Sequence, residues 1–474
     1  MTGFVGQILS ATPMATLSRL LRDGGGFCQD RAESDRPSLT VWFRVPDFLS
    51  RSPRRLAAAG VAGAAAVALL MSSCSAQAAN GISTPASTTL SVPGPSTSSG
   101  PASPTSTGSP TSNTVSGPNR VYAGAGAGEL SATARKAKSL VYVPNSAANT
   151  VQVIDPETFK VIATYPTGRQ PHHVVPSWDL KTLWVNDTIG NDLVPINPNT
   201  GKPGRRVRVE DPYNLYFTPD GSSALVMAER LGRIDVLNPR TMALERSLPV
   251  PCAGVNHADY SLDLSFFVVS CEFSGKLLVI DRQATKVIKV INLNDTKTPR
   301  ATSVREAMRM GGPRSNLSRG ASAMPQDTRL TPDGTRFVVA DMLRNGIWVI
   351  NARTQGIERF IPTGKGAHGI YPDREGRRIF VSNRDAGSIS VLDASSLAIT
   401  ATWKIPGGGS PDMGGVTADG SQLWLSGRYH SAVYVLDARS GALIKRIKVN
   451  AGPHGLLVWP QPGAFSLGHT GNTR

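Results

Sequence analysis

The chain has 474 residues, with 50 lysines and arginines against 34 aspartates and glutamates, and a formal net charge of +16 at pH 7. No apolar stretch has the length and apolarity of a protein that crosses the membrane several times, so that class is excluded. Four cysteines without a C-x-x-C pair exclude a disulfide-rich scaffold and a covalently attached c-type haem. A basic chain attracts anions, which include nucleic acid, lipid head groups and acidic ligands.

The first part of the chain is typical of an export signal. A basic stretch that ends at Arg55 precedes the apolar residues 56–71, and no charged residue follows before Arg120. This order defines a signal peptide, which we place at residues 51–81. Residues 1–50 precede it. Because signals normally lie at the extreme N-terminus, we expect translation to start later than Met1, with a cytoplasmic extension as the alternative.

Two processing sites compete after the apolar stretch. The sequence MSSC at 71–74 resembles a bacterial lipobox and would make Cys74 a lipidated N-terminus, whereas AQA at 76–78 is a signal-peptidase site. We favour the lipobox and expect a lipoprotein on the outer face of the cell membrane; the other site would release a secreted protein. Residues 82–118 contain 11 Ser, 8 Thr, 7 Pro and 4 Gly. Such a segment has no core to bury, so residues 82–120 are predicted to be a disordered linker.

The rest of the chain is a repeat with a period near 42 residues. Its clearest mark is an aliphatic residue followed by Asp or Asn at the end of a β-rich run, seen at Asp155, Asn197, Asn238, Asp281, Asn351, Asp393 and Asp437. Four strands per repeat of this length are typical of propeller blades, so we predict an all-β, seven-bladed β-propeller over residues 139–460. The strand near Leu140 and the strand near Trp459 should pair and close the seventh blade, since this removes both open edges.

Two segments fall outside the regular repeat. The interval between Asp281 and Asn351 is about 28 residues too long, which indicates an insertion at about 293–323. Its basic residues outnumber Asp295 and Glu306 by four, and they are Lys297, Arg300, Arg305, Arg309, Arg314 and Arg319. The insertion is either a lid that recruits an anion or a basic surface loop. Residues 461–474 are assigned to a C-terminal tail.

Several repeats resemble the YVTN-repeat β-propeller family of YncE-like extracytoplasmic proteins. The resemblance lies in YVPN at 142–145, NTVQVID at 149–155, VIATYPTG at 161–168 and SNRDAGSISVLD at 382–393. It implies the propeller fold over about 139–460. It does not imply one function, because such propellers include binding proteins, relatives of lactonases and enzymes that carry metal or haem.

Cys252 and Cys271 flank a turn near Ser261, so a hairpin should place them opposite each other. Because exported proteins fold in an oxidising environment, we predict a disulfide between these two cysteines. Two buried thiols are the alternative.

The starts of the seven inner strands hold five of the seven histidines of the chain. Repeat symmetry turns this register into a ring around the central channel. The ring consists of His172, Tyr213, Asn256, Gln326, His368, Asp412 and His454, with His173, Asn214, His257 and Asp327 beside it and Arg344, Arg384 and Arg428 in neighbouring loops. We predict a ligand site here; polar side chains that hydrogen-bond water in a wet channel are the alternative.

Imidazoles also bind transition metals, and the candidate ligands are His172, His257, His368 and His454. Three functions follow from this pattern. The favoured one is a tethered, monomeric propeller that binds an anionic small molecule or polymer, or a protein partner. The others are a metal-assisted, lactonase-like hydrolase or lyase, and a copper- or haem-linked redox protein. Nucleic-acid binding rests on charge alone, because few aromatic residues are present for stacking.

Overall fold

The computed structural model describes residues 121–294, 318 and 320–474. The predicted leader, signal peptide, lipidation site and linker lie outside these residues, as does most of the predicted insertion. Among the described residues, no helix has the length and apolarity needed to cross a membrane.

The described part of the chain forms 29 strands and one short 3-10 helix at Ala134–Lys136. In chain order the strands are β1 (Leu140–Asn145), β2 (Thr150–Asp155), β3 (Lys160–Pro166), β4 (Pro171–Pro176), β5 (Leu183–Asp187), β6 (Asp192–Asn197), β7 (Lys202–Pro203), β8 (Val207–Arg208), β9 (Pro212–Phe217), β10 (Ala224–Ala228), β11 (Arg233–Leu237), β12 (Leu244–Pro249), β13 (Val255–Tyr260), β14 (Phe266–Cys271), β15 (Lys276–Asp281), β16 (Val287–Asn292), β17 (Pro325–Leu330), β18 (Arg336–Asp341), β19 (Gly346–Asn351), β20 (Ile357–Pro362), β21 (Ala367–Pro372), β22 (Arg378–Asn383), β23 (Ser388–Asp393), β24 (Ile399–Lys404), β25 (Pro411–Val416), β26 (Gln422–Gly427), β27 (Ala432–Asp437), β28 (Leu443–Lys448) and β29 (Leu457–Trp459).

These strands form seven antiparallel sheets whose inner strands contact one another in a closed ring, which confirms the seven-bladed propeller. We number the blades in chain order, and the blade that the two ends close, with β29 and β1–β3, is blade one. The others are blade two (β4–β8), blade three (β9–β12), blade four (β13–β16), blade five (β17–β20), blade six (β21–β24) and blade seven (β25–β28). Six sheets have four strands. In the remaining blade the outermost strand is split into β7 and β8, and both pair with β6. The burial pattern follows position in the blade: the inner strand β9 is buried throughout, whereas the outer strand β3 alternates between exposed and half-buried residues. Apolar side chains of adjacent blades pack together, so the core is a ring of layers between the sheets.

The Asp and Asn residues that mark the repeat stabilise the turn that follows the third strand. Each ends the third strand of its blade, except Asn238, which directly follows it, and the side-chain oxygen accepts a hydrogen bond from the backbone N–H two to four residues further on. In blade one, Asp155 Oδ1 accepts from the Glu157 N–H at 2.9 Å. Asn351 does the same with the Arg353 N–H at 3.0 Å. Such side chains stabilise the turn into the fourth strand, which explains why the mark recurs once in every blade.

The ring closes as predicted. The last strand, β29, pairs with β1, so that Tyr142 lies opposite Leu457, and this sheet combines the two ends of the propeller sequence. Blade four ends with β16 and blade five begins with β17, and the insertion predicted between them stays a prediction.

Cys252 and Cys271 form the predicted disulfide, with Cα atoms 6.0 Å apart. The two cysteines are not opposite each other in the hairpin, contrary to the prediction. Cys271 is the last residue of β14 and lies opposite Val255, whereas Cys252 precedes β13 and reaches Cys271 from the connecting loop.

The C-terminal tail is not a free end. Phe465 stacks on Trp178 with ring centroids 5.6 Å apart, and the Phe217 N–H donates to the Leu467 carbonyl at 3.1 Å. Further on, the side chains of Asn472 and Arg474 each donate to Asp259 at 2.8 Å. The tail therefore enters the channel from the end at which the inner strands finish. The opposite end, where the inner strands start, is called the channel mouth below.

Candidate functional site

The structure brings the seven predicted ring residues together at the channel mouth. Each lies near the start of an inner strand or in the loop just before it, and none is more than 7% exposed. The ring of His172 lies 5.0 Å from Tyr213 and 5.2 Å from His454, measured between centroids. His454 lies 5.6 Å from His368 in turn. Repeat symmetry thus gave the correct spatial neighbours.

Asp412 organises one side of the mouth. Its Oδ1 accepts hydrogen bonds from Arg384 Nε at 2.9 Å and Nη2 at 2.6 Å, and its Oδ2 lies 2.6 Å from His454 Nδ1. His368 Nδ1 is 3.0 Å from Oδ1. Burial by itself would raise the pKa of Asp412, but Arg384 and His368 beside it hold that pKa below its usual range. Asp412 is therefore an ionised carboxylate whose negative charge is matched by Arg384.

Arg428 differs from Arg384 in having no such partner. Its Nη1 donates to Ser146 Oγ at 3.1 Å, and no carboxylate lies within ion-pair distance among the residues that the structure describes. Burial lowers the pKa of Arg428, with the nearby Arg384 adding to the effect against the opposing charge of Asp412. The pKa of Arg384, by contrast, is raised, since Asp412 outweighs its burial. Arg428 is thus a half-buried cation without a matching anion.

Arg428 lines an open cavity of about 430 Å³ between blades seven, one and two. Its wall is built from loops at the mouth and consists of Ser146, Ala147, Asn149, Arg169, Gln170, Ile189 and Arg428. Arg169 is exposed and, like Arg428, forms no ion pair with any described residue. The cavity therefore carries two positive charges and no carboxylate in its wall.

The opposite side of the mouth is acidic. Glu272 Oε2 accepts from Asn256 Nδ2 at 3.0 Å, and Glu229 lies beside it. Burial raises the pKa of Glu229 well above its usual range, and the neighbouring Glu272 raises it further. Burial also raises the pKa of Glu272, although hydrogen bonds from Gln326 and Asn256 oppose this. Glu229 is therefore the carboxyl of the pair that takes up a proton more readily.

His173, Asn214, His257 and Asp327 form a second layer, one residue further along their strands and fully buried. This layer meets a residue that sequence reasoning missed. His469 comes from the C-terminal tail, is fully buried, and lies 4.9 Å from His257 and 5.4 Å from His173 between ring centroids. One nitrogen from each of His173, His257 and His469 lies within 4.8 Å of the other two. We call these three residues the central histidine group.

This grouping differs from the predicted metal set of His172, His257, His368 and His454. Among the described residues, only the central histidine group brings three potential ligand atoms so close together. The predicted set shares His257 with it and otherwise lies at the mouth. The four-histidine metal site stays a prediction.

Other predicted residues have structural partners. Arg344 is buried, its Nε donates to the Ser322 carbonyl at 3.0 Å, and its guanidinium lies over Trp348. His430, the one histidine outside both layers, lies near the surface with Nδ1 2.8 Å from Ser410 Oγ. The basic residues of the insertion lie outside the described part of the chain.

Comparison with known proteins agrees with the architecture. A sequence model described as "YNCE-like beta-propeller" matches residues 119–243 and 350–462, which together make up half of the chain. The protein therefore belongs to the YncE-like β-propeller family. No curated protein matches its sequence.

Two solved structures show the same fold at low sequence identity. Hydrazine synthase of Kuenenia stuttgartiensis has a TM-score of 0.51 at 15% identity, with 64% of this chain and 94% of that chain covered. A functionally unknown protein from Desulfotomaculum acetoxidans has a TM-score of 0.50 at 14% identity, with 67% and 98% covered. At such identities the likeness concerns the propeller and carries no activity with it.

Proposed function

We propose that the protein is a binding protein for a small organic anion, held at the channel mouth by Arg428 and Arg169. The observation that carries this proposal is Arg428 itself. Its guanidinium lines a cavity, is half-buried, and has Ser146 Oγ rather than a carboxylate as its partner. A cation that is partly removed from water without a counter-ion costs free energy, and a bound anion would recover that cost.

The chemistry of the cavity wall favours a carboxylate or phosphate group. Arg428 offers further N–H donors, and a guanidinium matches either group with two parallel hydrogen bonds. Ser146 and Asn149 add uncharged polar groups, whereas Ala147 and Ile189 provide a small apolar surface. A volume of about 430 Å³ lies at the lower end of the range for small-molecule sites. A small organic anion fits this wall better than a long polymer does.

The mouth also has a polarity that would orient such a ligand. Arg428 and Arg169 lie on the side of blades seven, one and two. Glu272 and its neighbour Glu229 lie on the side of blades three and four. A ligand with an anionic end and a hydrogen-bonding or cationic end would place its anionic end at Arg428. The acidic side would repel a second negative charge.

The proposal is tested by calorimetric titration of the purified protein with succinate, inorganic phosphate and uncharged succinamide. We expect at least one of the two anions to bind, succinamide not to bind, and affinity to fall with added salt. Arg428→Gln should weaken anion binding by about 10- to 100-fold, since hydrogen bonds to charged groups contribute about 1.5–3 kcal/mol. Arg169→Gln, at an exposed position, should have a smaller effect in the same direction.

The matched control is Arg359→Gln. Arg359 is exposed on an outer strand, and its guanidinium donates to the Ser396 carbonyl, away from the mouth. The Arg359→Gln substitution changes the net charge by the same amount as Arg428→Gln, and it should leave the affinity for anions unchanged. An anion site at Arg428 would be refuted if neither anion binds. It would also be refuted if Arg428→Gln and Arg359→Gln lose the same amount of affinity.

We also propose that the protein is exported and held at the outer face of the cell membrane through a lipid on Cys74. The support comes from the apolar signal, the lipobox-like MSSC sequence and the disulfide, which fits an oxidising compartment. Intact-mass analysis of the membrane fraction tests it. A diacylated N-terminus at Cys74 is expected, whereas an unmodified N-terminus at Ala79 would favour the secreted form.

A further inference from the structure

We propose that the central histidine group binds one transition-metal ion of the zinc or copper class, and that this ion fastens the C-terminal tail inside the propeller. The site would be separate from the anion site at the mouth. Two observations support this site. Three imidazoles lie close together, and in each of them one ring nitrogen has a hydrogen-bond partner whereas the other has none in the part of the chain that the structure describes.

The three ligands come from distant parts of the sequence. His173 lies on β4, His257 on β13 and His469 in the tail, and all three are fully buried. One nitrogen from each lies within 4.8 Å of the others. Nitrogens that surround a zinc ion at about 2.0–2.1 Å are separated by roughly 3.3–3.5 Å in tetrahedral geometry, so small side-chain movements would complete the site.

One nitrogen of each ring has no hydrogen-bond partner within the described part of the chain. Nε2 of His173, His257 and His469 is in each case buried and has no hydrogen-bond partner among the described residues. Buried polar atoms in folded proteins are nearly always paired, because leaving one unpaired is costly. Three unpaired atoms of one kind in one place indicate a missing ligand. A metal ion would satisfy all three together once none of these Nε2 atoms carries a proton.

The other ring nitrogens are held in place, as metal-binding histidines require. His173 Nδ1 lies 2.9 Å from the Tyr213 carbonyl, which can only accept, so Nδ1 carries the proton and Nε2 has a free electron pair. Asn214 Nδ2 lies 3.2 Å from His257 Nδ1 and 3.0 Å from His469 Nδ1. One amide therefore connects the two remaining rings.

Metal binding through all three Nε2 atoms requires a change at Asn214. Its amide nitrogen has two N–H groups and three neighbours, which are the two Nδ1 atoms and the Tyr216 hydroxyl at 3.1 Å. A ring whose Nδ1 accepts from this amide carries its proton on Nε2. A rotation of the amide by half a turn would present its oxygen to both rings and free both electron pairs. The rotation would give up the bond from the Leu215 N–H to Asn214 Oδ1 at 3.0 Å, so metal loading should be accompanied by a change at this residue.

The ligand set defines the class of ion. Three imidazoles suit zinc, copper, cobalt and nickel, whereas magnesium and calcium prefer oxygen ligands. Asp327 adds negative charge, with Oδ1 3.6 Å from His469 Nε2. Because the group is closed off from solvent, its role would be structural. Since His469 belongs to the tail, the site is complete only when the tail is docked, and ion binding and tail docking must support each other.

The test is metal analysis of the purified protein, as isolated and after unfolding and refolding with Zn²⁺, Cu²⁺ or Co²⁺ followed by dialysis. We expect about one tightly held equivalent of metal per chain, and with Co²⁺ the visible absorption of a low-coordinate nitrogen site. His469→Ala should reduce the retained metal by at least about tenfold, since it removes a ligand outright. His469 lies outside the blades, so this variant leaves their strands unchanged.

Two controls distinguish this site from the others. His430→Ala removes a histidine outside the group and should retain the metal, and His454→Ala tests the predicted site at the mouth. Carboxypeptidase digestion followed by mass analysis should release the tail of the loaded protein more slowly than that of the metal-free protein. Retention of metal by His469→Ala, or no metal in the wild type by any route, would overturn the proposal. Either result leaves the anion site at Arg428 untouched.

Discussion

Replacement of Asp412 by Asn tests the electrostatic account of the channel mouth. Asp412 is fully buried, and its carboxylate accepts two hydrogen bonds from Arg384 and contacts two histidines. Asn keeps the shape but removes the charge, so the buried Arg384 loses its matching anion. Removal of one partner from a buried ion pair costs about 3–5 kcal/mol, and we expect a loss of that size in the free energy of unfolding.

The measurement is chemical denaturation followed by tryptophan fluorescence, with the double variant Asp412→Asn/Arg384→Met alongside. Because the second change removes the stranded cation, the double variant should be more stable than Asp412→Asn alone. The control is Glu375→Gln, whose partner Arg377 is 70% exposed, and it should cost less than about 1 kcal/mol. A loss below 1 kcal/mol for Asp412→Asn, or a double variant that is no more stable than Asp412→Asn, would refute the reasoning.

Two further predictions concern stability. Six buried histidines have lowered pKa values, chiefly through burial, and that of His173 falls to about 4. Because these histidines stay neutral in the folded protein and bind protons on unfolding, the stability they provide above about pH 6.5 is lost progressively as the pH falls. Asp187 and Asp327, with pKa values raised to about 8 and about 6, take up protons in the folded state and offset part of this loss. Denaturation midpoints between pH 7 and pH 4.5 should therefore fall, and a flat or rising profile would contradict the account. For the disulfide, Cys252→Ala/Cys271→Ala should cost about 3 kcal/mol, given a closed loop with a sequence separation of 19; an unchanged midpoint under non-reducing conditions would show that the cross-link does not stabilise the fold.

The fold was predictable because its repeating signals are local. Each Asp or Asn that ends a third strand is required by the turn it stabilises, so the mark recurs at a constant interval. Closure of the ring by β29 and β1 followed from counting strands. The predicted ring at the mouth followed from symmetry, since residues at equivalent repeat positions must lie at equivalent places in space.

The parts that sequence reasoning missed lie outside this symmetry. His469 belongs to no repeat, and nothing in its sequence neighbourhood shows that the tail turns back into the channel. Arg169 precedes an inner strand by two residues, and Ser146 lies in a loop equivalent to that of Arg428, so the repeat register could have identified both as mouth residues. Whether an arginine there is paired, as Arg384 is, or unpaired, as Arg428 is, depends on contacts between blades that periodicity does not contain.

The anion site at Arg428 is the central claim, and a crystal structure of the protein soaked in selenate tests it most directly. The account predicts an anomalous selenium peak in the cavity between blades seven, one and two, within hydrogen-bond distance of the Arg428 guanidinium, and its loss in Arg428→Gln crystals under the same conditions. A cavity without selenate while other basic surface sites are occupied, or a peak that persists in Arg428→Gln, would contradict it.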